Sequence, residues 1–438
     1  MGYYAAGLEP ASGTLRRPEA SGTGPARIGV QPSLEFRGGA VDCKPRTSRG
    51  VKVLFAGALA ILGAAHHGSR AAHAGTQVPA GTDANTAPGW HRIPGSALQS
   101  VCPKDPAIQA ASGCRGVIDA WSGGIADTKR NRLVIWGGGH GDYFGNEVYA
   151  LNIGAGRIER LSEPSPVTNV STCPEAYVDG LPSSRHTYEG LSYIVHADTM
   201  FVFGGAKANC GFFSGGTWTL DLATMKWRAM EPVGTKPAAG PGQVSDYDPN
   251  SKLVYLHDYV SGFYAYNFDA NAWKQVMSDS YGIDFHMSGA IDPKRKLFVM
   301  VGGLGHQGGG LDVFSVGGTS SRKVTPRVDV SCQEPFSAPS PGVAYDPALE
   351  KMVIWPNYGG SVYLLDEGTW TCQRVQYPGG PAERGQEGAP AATTGTFGRF
   401  RYFPESDIFV LVNQAGSDAY TLSLGPAGAA AAAEKKRD

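Results

Sequence analysis

A short apolar segment recurs six times along this chain, and no other feature constrains the fold as strongly. The six copies are Leu133–Trp136, Met200–Phe203, Leu253–Leu256, Leu297–Met300, Met352–Trp355 and Ile408–Leu411. They lie about 44 to 67 residues apart, which is a period typical of small β-sheet units repeated in a ring. The chain therefore reads as one unit repeated six times.

The first unit, residues 131–160, shows what is repeated. Its apolar run is broken by Gly137–Gly139, and further strand-like runs follow at Val148–Leu151 and Arg157–Leu161. Short strands bounded by Gly and Asn are typical of an antiparallel meander. Most copies are also preceded by an Asp-containing turn. We predict an all-β, six-bladed β-propeller with four strands in each blade; the alternative is a β-sandwich built from many meanders.

The strongest copy carries a recognisable repeat signature. Gly204-Gly205 follows its second strand, its third strand contains Trp218 and Asp221, and Trp227 opens the fourth. This pattern resembles the kelch repeat, so the chain is similar to the kelch β-propellers of the galactose oxidase-like (central domain) superfamily from about Gly89 to Leu424. The resemblance implies the fold and says little about activity, because propellers host many functions. No Tyr-His dipeptide is present, so the copper site of galactose oxidase is not carried over.

The sixth copy lacks its outer strand. It ends at the third strand, Tyr420–Leu424, and a Pro-Ala-Gly segment follows. A segment near the other end, Gly89–Pro94, looks like the outer strand Trp227–Met230. We predict that Gly89–Pro94 pairs with Tyr420–Leu424 and closes the ring, because closure removes free sheet edges.

The segments outside the repeats predict an exported protein. Residues 1–50 are rich in Gly, Pro, Arg and Ser and are expected to be disordered or untranslated. Residues 51–74 contain an apolar run, Val53–Ala65, and the cleavage-like Ala72-His73-Ala74, which together resemble a signal peptide. The run is too short to span a bilayer, although a membrane anchor is the alternative. Residues 75–424 would form a single propeller and 425–438 a disordered tail.

Cysteine usage agrees with export to a secreted or periplasmic location. Six of the seven cysteines follow the expected cleavage site, and an even number in an exported chain suggests disulfides. Six cysteines allow many pairings. We favour Cys102–Cys114, Cys173–Cys210 and Cys332–Cys372, because each pair joins neighbouring loops of the repeat.

Overall charge narrows the class of partner. The formal net charge is −1 and only 18% of residues are charged, which argues against a dedicated nucleic-acid partner. We expect a monomer that binds a polysaccharide or oligosaccharide, with no stable membrane insertion after processing.

Candidate site residues follow from propeller geometry. The innermost strand of each blade begins near the axis on one face, and the loop between the second and third strands emerges on that face, so side chains from both converge on an axial funnel. Histidine there can transfer protons or bind a metal near neutral pH. We predict four catalytic residues: Tyr188, His186, Arg185 and His140. The predicted substrate-binding residues are Asp119, Trp121, Asp142, Tyr143, Lys207, His286, His306 and Arg399.

These residue types favour proton-transfer chemistry on an anionic glycan. Several propeller polysaccharide lyases carry His, Tyr and Arg in a central groove, and this looser analogy implies β-elimination of uronate-containing polysaccharide. Tyr188 would be the acid or base, with His186 or His140 as partner, and Arg185, helped by Lys207 or Arg399, would neutralise the uronate carboxylate. Exposed aromatic residues would stack on sugar rings: Trp121, Tyr143, Tyr259 and Tyr358.

Two other functions remain open. A non-catalytic kelch propeller would bind glycan or protein. A metal-dependent enzyme would use His140, His186, His286 and His306, although no cofactor is required by the first hypothesis. The blander interpretation is that these histidines cap turns and that Tyr188 is a core aromatic.

Overall fold

The computed structural model describes residues 87–260, 262–278, 282–305, 309–383 and 394–425. The expectations for residues 1–74 fall outside the described part of the chain, as do His306 and nearly all of the predicted tail. No helix within these ranges is long and apolar enough to cross a membrane.

Six small antiparallel sheets form the fold, and each is one blade. From inner to outer strand, blade 1 contains Gly123–Asp127, Arg132–Trp136, Tyr149–Asn152 and Arg157–Arg160; blade 2 contains Leu191–Ile194, Thr199–Phe203, Thr217–Asp221 and Lys226–Met230; blade 3 contains Val244–Asp248, Leu253–His257, Gly262–Asn267 and Ala272–Ser278. Blade 4 contains Met287–Asp292, Leu297–Gly302, Gly310–Ser315 and Lys323–Val324; blade 5 contains Gly342–Asp346, Lys351–Trp355, Ser361–Asp366 and Thr371–Gln376; blade 6 contains Phe400–Phe403, Ile408–Leu411, Tyr420–Ser423 and Gly89–Arg92. The predicted all-β six-bladed propeller is confirmed.

Few elements lie outside the blades in the described part of the chain. Val233–Gly234 pairs in parallel with the outer strand of blade 3, and Arg185–His186 pairs with Ala206–Lys207. The α-helices are Gly116–Asp119 and Gln333–Phe336, and the 3₁₀ turns are Leu98–Val101, Gly113–Arg115, Thr128–Arg130, Val170–Thr172, Val195–Ala197, Val330–Cys332 and Phe397–Arg399.

The turn between the inner and second strands is built in the same way in blades 1, 3, 4 and 5, whose inner strands end at Asp127, Asp248, Asp292 and Asp346. An aspartate at the end of the inner strand accepts backbone N–H groups of the turn, as Asp292 does from Lys294 and Arg295 at 2.9 and 3.0 Å. Asp side chains favour turns for this reason. The residue just before each second strand has a positive φ: Asn131, Asp198, Lys252, Lys296, Glu350 and Asp407. The turn chemistry thus fixes where each second strand starts.

The hydrophobic core is divided between neighbouring blades. The cluster between blades 1 and 2, for example, packs Val134 and Trp136 against Met200 and Trp218, all at most 4% exposed. Five further clusters fill the remaining interfaces. Each inner strand contacts the inner strand of the next blade, and that of blade 6 contacts that of blade 1. The apolar, β-branched second strands therefore stabilise the ring by packing between sheets.

The N-terminal strand closes the ring as predicted. Gly89–Arg92 pairs antiparallel with Tyr420–Ser423, from Gly89 opposite Ser423 to Arg92 opposite Tyr420. Trp90 is 4% exposed, and its indole N–H donates to the carbonyl of Gly360 at 3.0 Å. The strand thus belongs both to the blade 6 sheet and to the core between blades 5 and 6.

The three favoured cysteine pairs are bonded. Cys102–Cys114, Cys173–Cys210 and Cys332–Cys372 have Cα–Cα distances of 5.9, 5.7 and 5.0 Å, within the usual range for a disulfide. Three intramolecular disulfides suggest that the chain folds in an oxidising environment.

Candidate functional site

Unusual backbone geometry marks the entrance of the inner strands. In five of the six blades, a residue just before the inner strand has a positive φ: Trp121, Tyr188, Gly242, Ser340 and Phe397, with φ of 46°, 48°, 63°, 42° and 50°. Bulky residues rarely adopt this conformation, and such outliers gather at functional sites. Inter-blade hydrogen bonds hold two of them: the amide of Tyr188 donates to the carbonyl of Trp121 and that of Ser340 to the carbonyl of His286, each at 2.6 Å.

His186 is the centre of a compact group on this face. It lies in the short strand Arg185–His186 and is 1% exposed. Its Nε2 is 2.9 Å from Oδ2 of Asp142, whose Oδ1 accepts the hydroxyl of Ser112 at 2.7 Å. A carboxylate that orients an imidazole in this way fixes its tautomer. Because Nε2 donates to Asp142, the basic nitrogen of neutral His186 is Nδ1.

Three further rings surround His186. The ring centroids of Trp121 and His140 are each 5.1 Å from that of His186, and the centroid of Tyr188 is 6.1 Å away. We call Trp121, His140, Asp142, His186 and Tyr188 the His186 cluster. The structure thus brings together five of the predicted site residues, three of the predicted catalytic residues among them.

His140 is the exposed member of the cluster and depends on blade 2 for its position. Its φ is 46°, and its Nδ1 is 2.7 Å from the carbonyl oxygen of Cys210. A carbonyl only accepts hydrogen bonds, so Nδ1 carries the proton and Nε2 is the basic nitrogen when the ring is neutral. The amide of Gly141 donates to the carbonyl of Ala208 at 2.6 Å. The loop that carries the Cys173–Cys210 disulfide therefore orients His140.

Burial shifts the pKa values of His186 and Tyr188 in opposite directions. Burial lowers the pKa of His186, although its hydrogen bond to Asp142 opposes this shift. Burial and the nearby Tyr259 raise the pKa of Tyr188, which is 6% exposed. Near neutral pH, His186 is thus a neutral imidazole able to accept a proton, and Tyr188 is a protonated phenol able to donate one.

Arg185 is buried, and its guanidinium is hydrogen-bonded to other groups of the protein. It is 0% exposed, and its guanidinium donates to Oε1 and the backbone carbonyl of Glu175, both at 3.1 Å. It also lies over the ring of Trp136, 5.7 Å from the centroid. Glu175 further accepts hydrogen bonds from Ser214 and Trp218. Arg185 therefore anchors the strand that carries His186, and its guanidinium is already paired.

The other predicted cations of the funnel are also held by protein groups. Arg399 is 0% exposed and donates to the carbonyls of Ser122, Val412 and Gly395 at 2.8, 2.6 and 2.6 Å. Burial lowers its pKa to about 10. Lys207 is less constrained, because its Nζ is 3.7 Å from Glu175.

The remaining predicted binding residues are dispersed. Asp119 forms an ion pair with Arg115 at 3.1 Å. His286 is 4% exposed, with Nδ1 3.1 Å from Asp284, and its ring contacts that of Phe285. The ring of Phe285 in turn lies 6.3 Å from that of Tyr188. Phe285 thus contacts both His286 and Tyr188, which is a member of the His186 cluster.

The expectation of an exposed Tyr143 is wrong. Tyr143 is 0% exposed, and its hydroxyl donates to Oε1 of Glu147 at 2.6 Å. The ring packs in the core between blades 6 and 1, so it is not available for stacking on a ligand. The other three aromatic residues, Trp121, Tyr259 and Tyr358, are half-buried.

Two residues near the candidate site were not predicted. Ser112 orients Asp142 from a segment before the first blade. Phe212, which is 74% exposed, lies on the Cys210 loop, where a Cβ on the neighbouring Gly211 would be 3.6 Å from Cε1 of His140. Both lie outside the repeat positions used to select candidates, and no motif marks them.

The described ranges contain no group of three or more His, Cys, Asp or Glu side chains placed to hold a metal ion. No protein-family profile matches the chain. No curated protein is similar to it in sequence at a significant level.

Proposed function

We propose that this protein is an exported, glycan-active propeller of the kelch and galactose oxidase-like class, and that it cleaves uronate-containing polysaccharide by β-elimination. The supporting observation is the His186 cluster: an imidazole oriented by Asp142 at 2.9 Å, with a second imidazole and a phenol beside it. A base and an acid in adjacent positions are what β-elimination requires.

Two histidines are suited to the role of base. The accessible Nε2 of His140 and the Nδ1 of His186 are the nitrogens left basic by their other hydrogen bonds. One of them takes the C5 proton of the uronate. The electron pair released forms the C4–C5 double bond, and the bond from C4 to the glycosidic oxygen breaks. Tyr188, kept protonated by its burial, donates its proton to the departing oxygen.

Neutralising the uronate carboxylate is assigned to Lys207, with Arg185 as a positioning residue. Removal of a proton next to a carboxylate becomes easier when the carboxylate meets a cation. Each guanidinium nitrogen of Arg185 and Arg399 already donates to a protein acceptor. Lys207 pairs with the strand that carries His186 and has its ammonium group 3.7 Å from one carboxylate oxygen.

The decisive experiment incubates the purified protein with a panel of polyuronates and records ultraviolet absorbance of the unsaturated product, with mass spectrometry of the fragments. We expect unsaturated oligosaccharides from at least one polymer. His140→Ala and His186→Ala should abolish or strongly reduce the signal, whereas the matched control His91→Ala, on the outer strand of blade 6, should not. Product without a double bond would show hydrolysis and reject elimination.

A non-catalytic binding propeller is the second candidate. It is favoured by the pairing of both funnel arginines with protein groups and by the exposed Phe212 at the rim, since aromatic rings bind sugar faces without any chemistry. If a polyuronate or neutral glycan binds in calorimetry, if Phe212→Ala weakens that binding, and if no product forms, this function replaces the lyase.

A further inference from the structure

A pocket of about 370 Å³ lies on the propeller axis at the end opposite the funnel. Residues from all six blades line it, among them the turn residues Thr128, Val195, Pro249, Pro293, Pro347 and Pro404. These residues follow the inner strands, whereas Trp121, His186 and Tyr188 precede them. The two sites are therefore separated by the length of the inner strands.

Tyrosine rings form much of the pocket wall. They are Tyr193, Tyr247, Tyr345 and Tyr402. Their hydroxyls are engaged elsewhere: that of Tyr193 donates to Asp198 at 3.1 Å, that of Tyr402 donates to Asp407 at 2.8 Å, and that of Tyr247 is 2.7 Å from Nδ1 of His196. The rings and the prolines thus offer the pocket mainly apolar contact. A ligand held here needs an apolar, preferably flat, portion.

Two opposite charges are set into this apolar wall. Arg401 lines the pocket and is 8% exposed. Its Nη2 donates to Oε1 of Glu189 at 2.7 Å, and its Nε donates to the carbonyl of Gly398 at 3.1 Å. Within the described part of the chain, its Nη1 has no hydrogen-bond acceptor. A guanidinium nitrogen without an acceptor, on a residue that lines an apolar pocket, can donate to an anionic group.

Asp246 supplies the negative charge. Its Oδ2 accepts the amide of Ile291 at 2.8 Å and its Oδ1 the amide of Tyr247 at 2.9 Å. One hydrogen bond to each oxygen leaves further lone pairs on the carboxylate, and the residue lines the pocket. Burial raises the pKa of Asp246, so a cation next to it would stabilise the ionised form.

We propose that this pocket binds a free α-amino acid with a large apolar or aromatic side chain. The ligand carboxylate accepts a hydrogen bond from Nη1 of Arg401, the ammonium group donates to Asp246, and the side chain lies among the tyrosines. A simple anion would leave Asp246 without a cation of its own, and a simple cation would leave Nη1 of Arg401 without an acceptor. The zwitterion satisfies both. The pocket volume is within the range of small-molecule sites.

Calorimetry with three probes of the same ring and chain length tests the charge requirement. The probes are L-phenylalanine, 2-phenylethylamine and 3-phenylpropionate, titrated into the full-chain protein at neutral pH. We expect L-phenylalanine to bind about tenfold or more tightly than either analogue, because each analogue loses one charge-assisted contact with the pocket. No binding of L-phenylalanine, or equal binding of either analogue, would overturn the proposal.

Substitutions then locate the site. Arg401→Lys retains a cation for Glu189 but loses the guanidinium fork. It should therefore weaken the binding of L-phenylalanine and 3-phenylpropionate and leave the binding of 2-phenylethylamine unchanged. Asp246→Asn should weaken the binding of L-phenylalanine and 2-phenylethylamine and leave the binding of 3-phenylpropionate unchanged. Asp221→Asn, on the exposed end of a blade 2 strand, is the matched control. If either variant misfolds by circular dichroism, Thr128→Trp fills the pocket from a turn; retention of L-phenylalanine binding by that variant would place the ligand elsewhere and reject the site.

Discussion

Replacing Glu175 with glutamine should destabilise the propeller by about 3 kcal/mol at neutral pH. Burial alone would raise the pKa of Glu175, but the charge of Arg185 and hydrogen bonds from Ser214 and Trp218 lower it from 4.5 to about 2. That shift corresponds to about 3 kcal/mol of differential stabilisation. The side chain is 38% exposed, so solvent screening reduces this contribution to about 1–2 kcal/mol.

The remaining loss comes from Arg185. Its side chain is 0% exposed, and glutamine would leave its charge without a carboxylate. Breaking a buried pair by removing one partner costs about 3–5 kcal/mol. Because the glutamine carbonyl still accepts hydrogen bonds from its neighbours, we expect the total to fall at the lower end of this range.

The pH dependence has a defined sign. The folded-state pKa of Glu175 lies below the unfolded value, so its stabilisation is fully present above about pH 4.5 and is lost as the pH falls toward 2. Urea unfolding followed by tryptophan fluorescence should show that the difference in unfolding free energy between the wild type and Glu175→Gln narrows by about 1–2 kcal/mol as the pH falls through this window.

A surface carboxylate provides the control. Glu159→Gln removes an exposed pair with Arg157 and should change the free energy of unfolding by less than about 0.5 kcal/mol. A Glu175→Gln variant as stable as this control, or a stability difference that does not narrow at low pH, would refute the electrostatic account of the Glu175–Arg185 pair.

Four further outcomes are expected. Tyr188→Phe should lower turnover on a polyuronate about 10²–10⁴-fold with little change in melting temperature, whereas Tyr420→Phe, the matched control in blade 6, should be neutral; an active Tyr188→Phe enzyme would remove Tyr188 from the proposed chemistry. Gly205→Ala should displace the strand carrying His186, because Gly205 has φ +89° and a Cβ there would be 2.1 Å from the carbonyl oxygen of His186; unchanged turnover would contradict this. Protein spanning residues 75–438 should show no free thiol when denatured without reductant. The double variant Cys173→Ala/Cys210→Ala should lower turnover, which depends on the position of His140, by more than it lowers the stability of the fold. Elemental analysis decides the metal alternative: near-stoichiometric metal whose removal abolishes activity would favour the histidine-metal enzyme, and full activity of metal-free protein would reject it.

The fold could be predicted because its information is local and repeated. Each of the six repeated segments, from Leu133–Trp136 to Ile408–Leu411, is recognisable as a strand from its own residues. Six copies at this spacing favour a ring of small sheets. The outer strand Gly89–Arg92 could be found because the sixth unit lacks one. The disulfides followed from the same alignment, since each joins loops that the repeat places close together.

The sequence predicted which side chains would lie close together but not their hydrogen bonds and charge pairs. His140, His186 and Tyr188 meet because equivalent repeat positions converge at the axis. The pairing of Arg185 was missed because Glu175 lies in an irregular segment that the repeat does not align. Tyr143 was expected to be exposed, but its ring packs in the core between blades 6 and 1 and its hydroxyl donates to the buried Glu147. The positive φ angles of Trp121 and Tyr188 could not be predicted from the sequence either. Neither residue is glycine, and the conformation is held by contacts between blades.

The N-terminal strand of blade 6 has a consequence for biosynthesis. Ser96 and Asp418, which hydrogen-bond beside that blade, are separated by 322 positions in the chain, and bringing such distant segments together costs about 5 kcal/mol in loop-closure entropy. Blade 6 therefore becomes complete only after synthesis has reached Ser423, more than 300 residues after Gly89. Until then the strand Gly89–Arg92 has no partner in its own chain, and its backbone groups can pair with a neighbouring chain. A nascent propeller of this kind is vulnerable to intermolecular strand exchange until both halves of blade 6 are available, and truncation before Gly89 should be tolerated far better than truncation a few residues beyond it.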